Sequence, residues 1–170
     1  GTTDRNQAVQ GLVLSDGTYY VIYSAQGVPS LVGGVIQGSS STNGSTFTSN
    51  NARDFNLEGA GILGARVSAQ VSPQQVFNGT VSYDNGLRVG FTTTYDSDYQ
   101  IRPSREILAG SYDGDVAFSL GVESAELTFS DNGSVSGIGV SGCTLSGNYA
   151  PRQTGNVYDV TIRFGGFPCV

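Results

Sequence analysis

This chain reads as an all-β protein of antiparallel strands, a two-sheet sandwich or a small closed barrel of about nine to eleven short strands. Three observations carry that reading. Asp16-Gly17, Asn78-Gly79, Asn85-Gly86 and Asn132-Gly133, with Asp113-Gly114 as a fifth, are dipeptides that tolerate the positive φ of a tight hairpin turn. Short runs rich in Val, Ile, Leu, Phe and Tyr lie between them, several with apolar residues at every second position. Finally, 25 glycines and a charged fraction of only 13% give a turn-rich composition that still carries enough apolar side chains for a core. At 170 residues we expect a flexible N-terminal segment over 1–10 and one domain over 11–170.

The elements follow in order. Gly11 to Leu14 and Thr18 to Tyr23 flank the Asp16-Gly17 turn as a hairpin, and Val32 to Ile36 continues the sheet. Gly38 to Thr46 is almost entirely Gly, Ser, Thr and Asn, so it is expected to be a mobile loop. Asn51 to Phe55 is expected as a short turn that carries Phe55 into the core. Ala65 to Val71, Val76 to Tyr83 and Leu87 to Tyr95 are the next strands. In the last of these, Leu87, Val89, Phe91 and Thr93 share one face. Residues 103–109 hold the one helical signal, with Ser104 as cap and Gly110 as stop, long enough for one or two turns. Ser124 to Ser130, Ser134 to Val140, Cys143 to Ala150 and Val157 to Phe164 complete the strands. The core is expected from Leu12, Leu14, Val21, Tyr23, Val35, Phe47, Phe55, Val89, Phe91, Leu127, Phe129, Leu145, Tyr158, Val160, Ile162 and Phe164.

Composition narrows function. There is no histidine, which removes the usual general base and the commonest transition-metal ligand, and neither cysteine has a partner base. The remaining hydrolytic option is a carboxylate pair drawn from Asp96, Asp98, Asp113, Asp115, Glu123 and Glu126, as in a glycosidase, although Asp96/Asp98 and Asp113/Asp115 read as turn chemistry. The same Asp-x-Asp pairs could ligate Ca²⁺, but neither matches a known calcium loop. We therefore expect no enzyme activity, no cofactor and no metal. With a net charge of −6 and its eight Arg scattered, the chain has no basic cluster for nucleic acid or an anionic membrane. A basic protein partner fits that charge better.

Cys143 and Cys169 lie symmetrically about the turn Pro151 to Asn156, so they are expected to face each other across the open end of the last hairpin. A disulfide closing about 25 residues contributes roughly 3 kcal/mol in the chain-entropy model and places the protein in an oxidising compartment. The chain has no initiator Met and reads as already trimmed; no apolar run is long enough for a spanning helix.

The residues Gly11-Leu-Val-Leu-Ser-Asp-Gly-Thr-Tyr-Tyr20, Phe47-Thr-Ser, Arg53-Asp-Phe-Asn56, Thr94-Tyr-Asp96, Leu108-Ala-Gly-Ser-Tyr112, Ser141-Gly-Cys-Thr144, Asn156-Val-Tyr-Asp-Val160 and Phe164-Gly-Gly with Cys169 resemble, as a set, small uncharacterised lipoproteins of Gram-negative bacteria. The resemblance implies export and an outer-membrane anchor through a lipidated cysteine upstream of Gly1, and it brings no catalytic residues. The expected function is then a monomeric, non-enzymatic surface or periplasmic lipoprotein, antigen-like, that binds a protein or glycan partner in adhesion or host contact. The alternatives are a periplasmic inhibitor of a basic enzyme such as lysozyme, which the negative charge would steer, and the carboxylate-dependent glycosidase. For the contact surface, Tyr95, Asp96, Asp98 and Tyr99 place two amphipathic rings around two acceptors in one short segment.

Overall fold

The computed structural model describes residues 1–118 and 121–169. The protein is all-β, at 63% strand and 5% helix, built as one nearly closed barrel-like sheet and one half-barrel sheet. The described residues form fourteen strands, more than the sequence reading expects, because Thr2–Thr3, Ser41–Asn43, Thr46–Asn56 and Gly110–Phe118 were not read as strands. The chain groups into two compact units, Gly1–Asp96 and Ser97–Val170, and strands take in Thr2–Thr3 and begin again at Val9 within the first ten residues.

The first unit contains β1 (Thr2–Thr3), β2 (Val9–Val13), β3 (Thr18–Ala25), β4 (Val28–Ser39), β5 (Ser41–Asn43), β6 (Thr46–Asn56), β7 (Gly61–Ser72), β8 (Val76–Tyr83) and β9 (Arg88–Thr92). They are ordered β1-β9-β8-β7-β6-β4-β3-β2, with β5 hairpinned onto β6. β1 is the seam. Thr2 and Thr3 pair with Thr92 and Phe91 of β9. On the other side the Gly1 nitrogen donates to the Val9 carbonyl at 2.9 Å, the Val9 amide donates back to the Gly1 carbonyl at 3.0 Å, and Thr2 bridges Ala8. Residues 1–9 thus join the two end strands, which satisfies backbone groups that an open sheet would leave bare.

The turn chemistry mostly holds. Gly17, Gly44, Gly86 and Gly133 all have positive φ, and Asp16, Asn85 and Asn132 each accept the backbone amide two residues on, at 2.9 to 3.0 Å. Asn78-Gly79 and Asp113-Gly114 are corrections, since both lie inside strands, in β8 and β10. At Gly79 the reason is space: a Cβ there would run into Ala69 of the paired strand β7. The Gly38 to Thr46 stretch is also corrected. It holds the end of β4, all of β5 and the start of β6, tied by Ser41 and Asn43 pairing with Thr48 and Thr46. Ser and Thr side chains suit an exposed ribbon even where composition suggests a loop.

Period two sorts the side chains of the barrel. Tyr19 and Tyr23 of β3 are buried, as are Ala65, Val67 and Ala69 of β7 and Val81 of β8. β6 begins in the same parity with Phe47 and Ser49 buried, then breaks. A register shift between Ser49 and Ala52 against β7 inserts an extra residue, so Ala52 and Asp54 turn inward and Phe55 turns out, 40% exposed. Phe55 was expected in the core on a short turn; it sits on a strand and faces away from the interior. On β4, Ile36 pairs with Val21 in the regular part of the ladder and is buried in place of the expected Val35, which pairs with the exposed Ile22.

The second unit holds β10 (Gly110–Phe118), β11 (Gly121–Phe129), β12 (Ser134–Gly139), β13 (Thr144–Pro151) and β14 (Tyr158–Phe164), paired in chain order. A 3₁₀ turn at Ser97–Gln100 and one α-helical turn, α1 (Arg105–Leu108), precede them. Ser104 occupies the cap position of α1 without a side-chain capping bond. Tyr149 instead anchors this turn, reaching the Arg105 and Ser130 carbonyls at 3.1 and 2.8 Å, while Tyr158 donates to Ser104 O at 2.9 Å. The Cys143–Cys169 disulfide closes the β13–β14 hairpin as expected, with a Cα separation of 4.7 Å, and packs with Ala125 and Leu145. Val160 and Phe164, expected in the core, are 44% and 50% exposed, because β14 is the edge strand and is covered from one side only.

Candidate functional site

A cavity of about 290 Å³ occupies the lumen of the first unit. Its two ends differ in chemistry. At one end the rings of Tyr19, Phe47, Phe77 and Phe91 form a continuous row, with centroids 5.4, 4.9 and 5.4 Å apart. Such tilted and edge-to-face contacts fill space tightly and close that end with aromatic carbon. The Tyr19 hydroxyl is satisfied there by Ser49 Oγ at 3.0 Å. Ala52, Ala65, Val67 and Ala69 pack with this row in the buried core, and Val67 lines the cavity.

The other end is polar. Asp54 is 1% exposed and points inward because of the β6 bulge. Tyr23 Oη donates to its Oδ1 and Tyr83 Oη to its Oδ2, both at 2.8 Å. Asn56 Nδ2 donates to Tyr23 Oη at 3.1 Å. Three strands therefore converge on one carboxylate: β3 brings Tyr23, β6 brings Asp54 and Asn56, and β8 brings Tyr83. The Tyr23 ring lies across Gly34 of β4, where a Cβ would collide with the phenol oxygen, so glycine at 34 is what allows Tyr23 to reach Asp54. Beyond this cluster lie the β3–β4, β6–β7 and β8–β9 turns, whose exposed Gln26, Glu58 and Asn85 line the opening together with Arg5.

The electrostatics follow from burial. Desolvation raises the Asp54 carboxyl above its ordinary range, opposed by the two phenol hydrogen bonds and reinforced by Glu58. Desolvation likewise holds the Tyr23 and Tyr83 hydroxyls far above the ordinary phenol range, and the neighbouring carboxylate adds to both shifts. At neutral pH both phenols are therefore proton donors fixed in place. Asp54 forms no ion pair among the described residues.

The contact segment expected from sequence is divided by the fold. Tyr95 and Asp96 end the first unit, where the Tyr95 amide donates to the Gln75 carbonyl at 2.8 Å. Asp98 and Tyr99 begin the second, in the 3₁₀ turn, with the Tyr99 carbonyl accepting the Asn156 amide at 2.9 Å and its ring set against Gly155. Asp96 and Asp98 are exposed. Asp113 and Asp115, read as turn residues, sit instead on β10, where Ser124 Oγ donates to Asp115 at 2.9 Å. Among the described residues no group of three or more acidic or cysteine side chains is arranged to hold a metal.

Asp54, Tyr83 and Asn56 were missed as site residues. Ala52, Asp54 and Asn56 repeat at period two with the opposite parity from Phe47 and Ser49, but no residue between them marks the change of parity. Comparison with protein-family models, curated proteins and solved structures finds no match to this chain.

Proposed function

We propose that this protein is a non-enzymatic, exported binding protein whose first unit takes up a small, largely apolar molecule in the barrel lumen. The observation that carries the reading is the cavity itself, about 290 Å³ of space lined mainly by aliphatic and aromatic side chains with one convergent polar cluster. Ligand sites have this composition: apolar walls supply the affinity and a few fixed polar groups set orientation. The space is about twice the ~150 Å³ of an engineered apolar cavity that takes benzene, so a two-ring molecule is the right scale. Small barrels of this kind either fill their interior with side chains or hold one ligand, and the cavity lined by Val67, Val81 and Val89 argues for the second.

Export belongs to the same proposal. A buried disulfide persists in an oxidising compartment, and the resemblance to Gram-negative lipoproteins points to tethering by a lipid. The Tyr95 to Tyr99 segment remains a proposed contact for a protein or glycan partner.

The test uses a neutral fluorescent naphthalene, 1-naphthalenemethanol. Saturable one-to-one binding is expected, lost in a Val67→Phe variant that fills the lumen while its circular dichroism stays unchanged. Absence of saturable binding to the parent protein removes the reading.

A further inference from the structure

Resting on the lumen as a ligand site, we infer that the ligand it selects is an amine: an apolar body carrying a protonated amino group that docks against Asp54 between Tyr23 and Tyr83. A buried carboxylate is costly unless it is paired or fully hydrogen-bonded. Asp54 has two donors, one per oxygen, and a carboxylate offers about four lone-pair sites, so each oxygen keeps capacity for another donor. The Tyr83 oxygen gives its proton to Asp54, and no donor to it is found among the described residues. Asp54 Oδ1, Asp54 Oδ2 and Tyr83 Oη thus supply three acceptor positions on two neighbouring residues that line the polar end of the cavity.

An ammonium has three donors and no acceptor, which matches that set in number and in sign. A carboxylate or phosphate head would place like charge beside Asp54. A neutral hydroxyl could take one of the acceptors while leaving the charge uncompensated. The charged residues around the lumen support the same choice: Asp54 and Glu58 against Arg5, a net of −1. Glu58 and Arg5 lie exposed at the opening, whereas Asp54 is the buried one and meets the ligand away from water. The remainder of the ligand then extends toward the row of Phe77, Phe91 and Tyr19.

The experiment holds the body constant and changes the head: 1-naphthylmethylamine, 1-naphthalenemethanol and 1-naphthoate, titrated at pH 7 by their own fluorescence. The amine is expected to bind at least about tenfold tighter than the alcohol, since a charge pair in a dry site exceeds a neutral hydrogen bond, with naphthoate weakest. In Asp54→Asn the amine is expected to lose its advantage over the alcohol, the ratio of their affinities falling to about one. Tyr83→Phe, which keeps the carboxylate, should keep the preference for the amine, so a misfolded Asp54 variant does not decide the matter. If the alcohol binds and the amine binds no tighter, the headgroup assignment is wrong and the lumen reading stands. If none of the three binds, both fall.

Discussion

Replacing Tyr23 with Phe deletes one oxygen from the lumen and leaves the ring in place over Gly34. That oxygen donates to Asp54 Oδ1 at 2.8 Å and accepts from Asn56 Nδ2 at 3.1 Å. A hydrogen bond to an ionised group contributes about 1.5–3 kcal/mol, so a loss of about 2 kcal/mol is expected at pH 7. The pH dependence separates a charged acceptor from a neutral one. Burial raises the folded-state pKa of Asp54 above its unfolded value, so the folded state holds this proton more tightly. Stability from this group is therefore greatest below the carboxylate range and declines as pH rises through it, levelling off above the folded pKa. Tyr23→Phe removes a bond that favours the ionised form, so its own deficit should widen over the same window, from about 1 kcal/mol near pH 4 to about 2 kcal/mol at pH 7. Urea unfolding followed by circular dichroism at the two pH values measures both numbers. Equal deficits at pH 4 and pH 7, or a deficit under about 0.5 kcal/mol at pH 7, would refute a carboxylate held by that phenol.

The β6 bulge makes opposite forecasts for two phenylalanines: Phe47→Ala should cost about 3–5 kcal/mol, while Phe55→Ser should stay within about 1 kcal/mol, and reversed midpoints in urea would mean the parity is wrong. Gly34→Ala should cost about 1–3 kcal/mol by pushing against the Tyr23 ring and the Phe55 carbonyl, and it should lose the Tyr23 part of that cost in a Tyr23→Ala background, a coupling a double-mutant cycle reads directly. Intact mass under native conditions should show no alkylatable thiol. Reduction should lower the stability of the second unit by about 3 kcal/mol; two thiols modified without reductant would contradict the Cys143–Cys169 bond.

The strands themselves were largely legible. Val76 to Tyr83 was read with the bounds β8 has, and the Cys143–Cys169 pairing followed from symmetry about one turn. What period two could not supply was the place where the period changes. Nothing in Ser49-Asn-Asn-Ala52 announces an extra residue, because a bulge is fixed by the register of β7 across from it and not by the residues that form it. Asn51 to Phe55 was read as a short turn carrying Phe55 inside, and Asp54 was not considered for the interior at all. The lumen cluster failed for the same reason, being assembled from β3, β6 and β8, whose relation is tertiary. Glycine misled in two directions: Asn78-Gly79 looked like a turn but serves close strand approach, and the Gly/Ser/Thr stretch after Gly38 looked like coil but forms a ribbon.

The seam at the start of the chain has a consequence for how the barrel is made. Thr2 finds its partner Thr92 ninety positions later, the difference of the two numbers, so residues 1–9 leave the ribosome long before β9 exists to receive them. Until then both margins of the growing sheet are unpaired and open to any other extended chain. Closing such a long loop is an entropic step taken late, which makes it the natural bottleneck of folding. The polar Thr-Thr-Asp-Arg-Asn-Gln sequence of that segment is suited to the wait: it stays solvated, pairs weakly with itself, and becomes strand only when both of its neighbours are already in place.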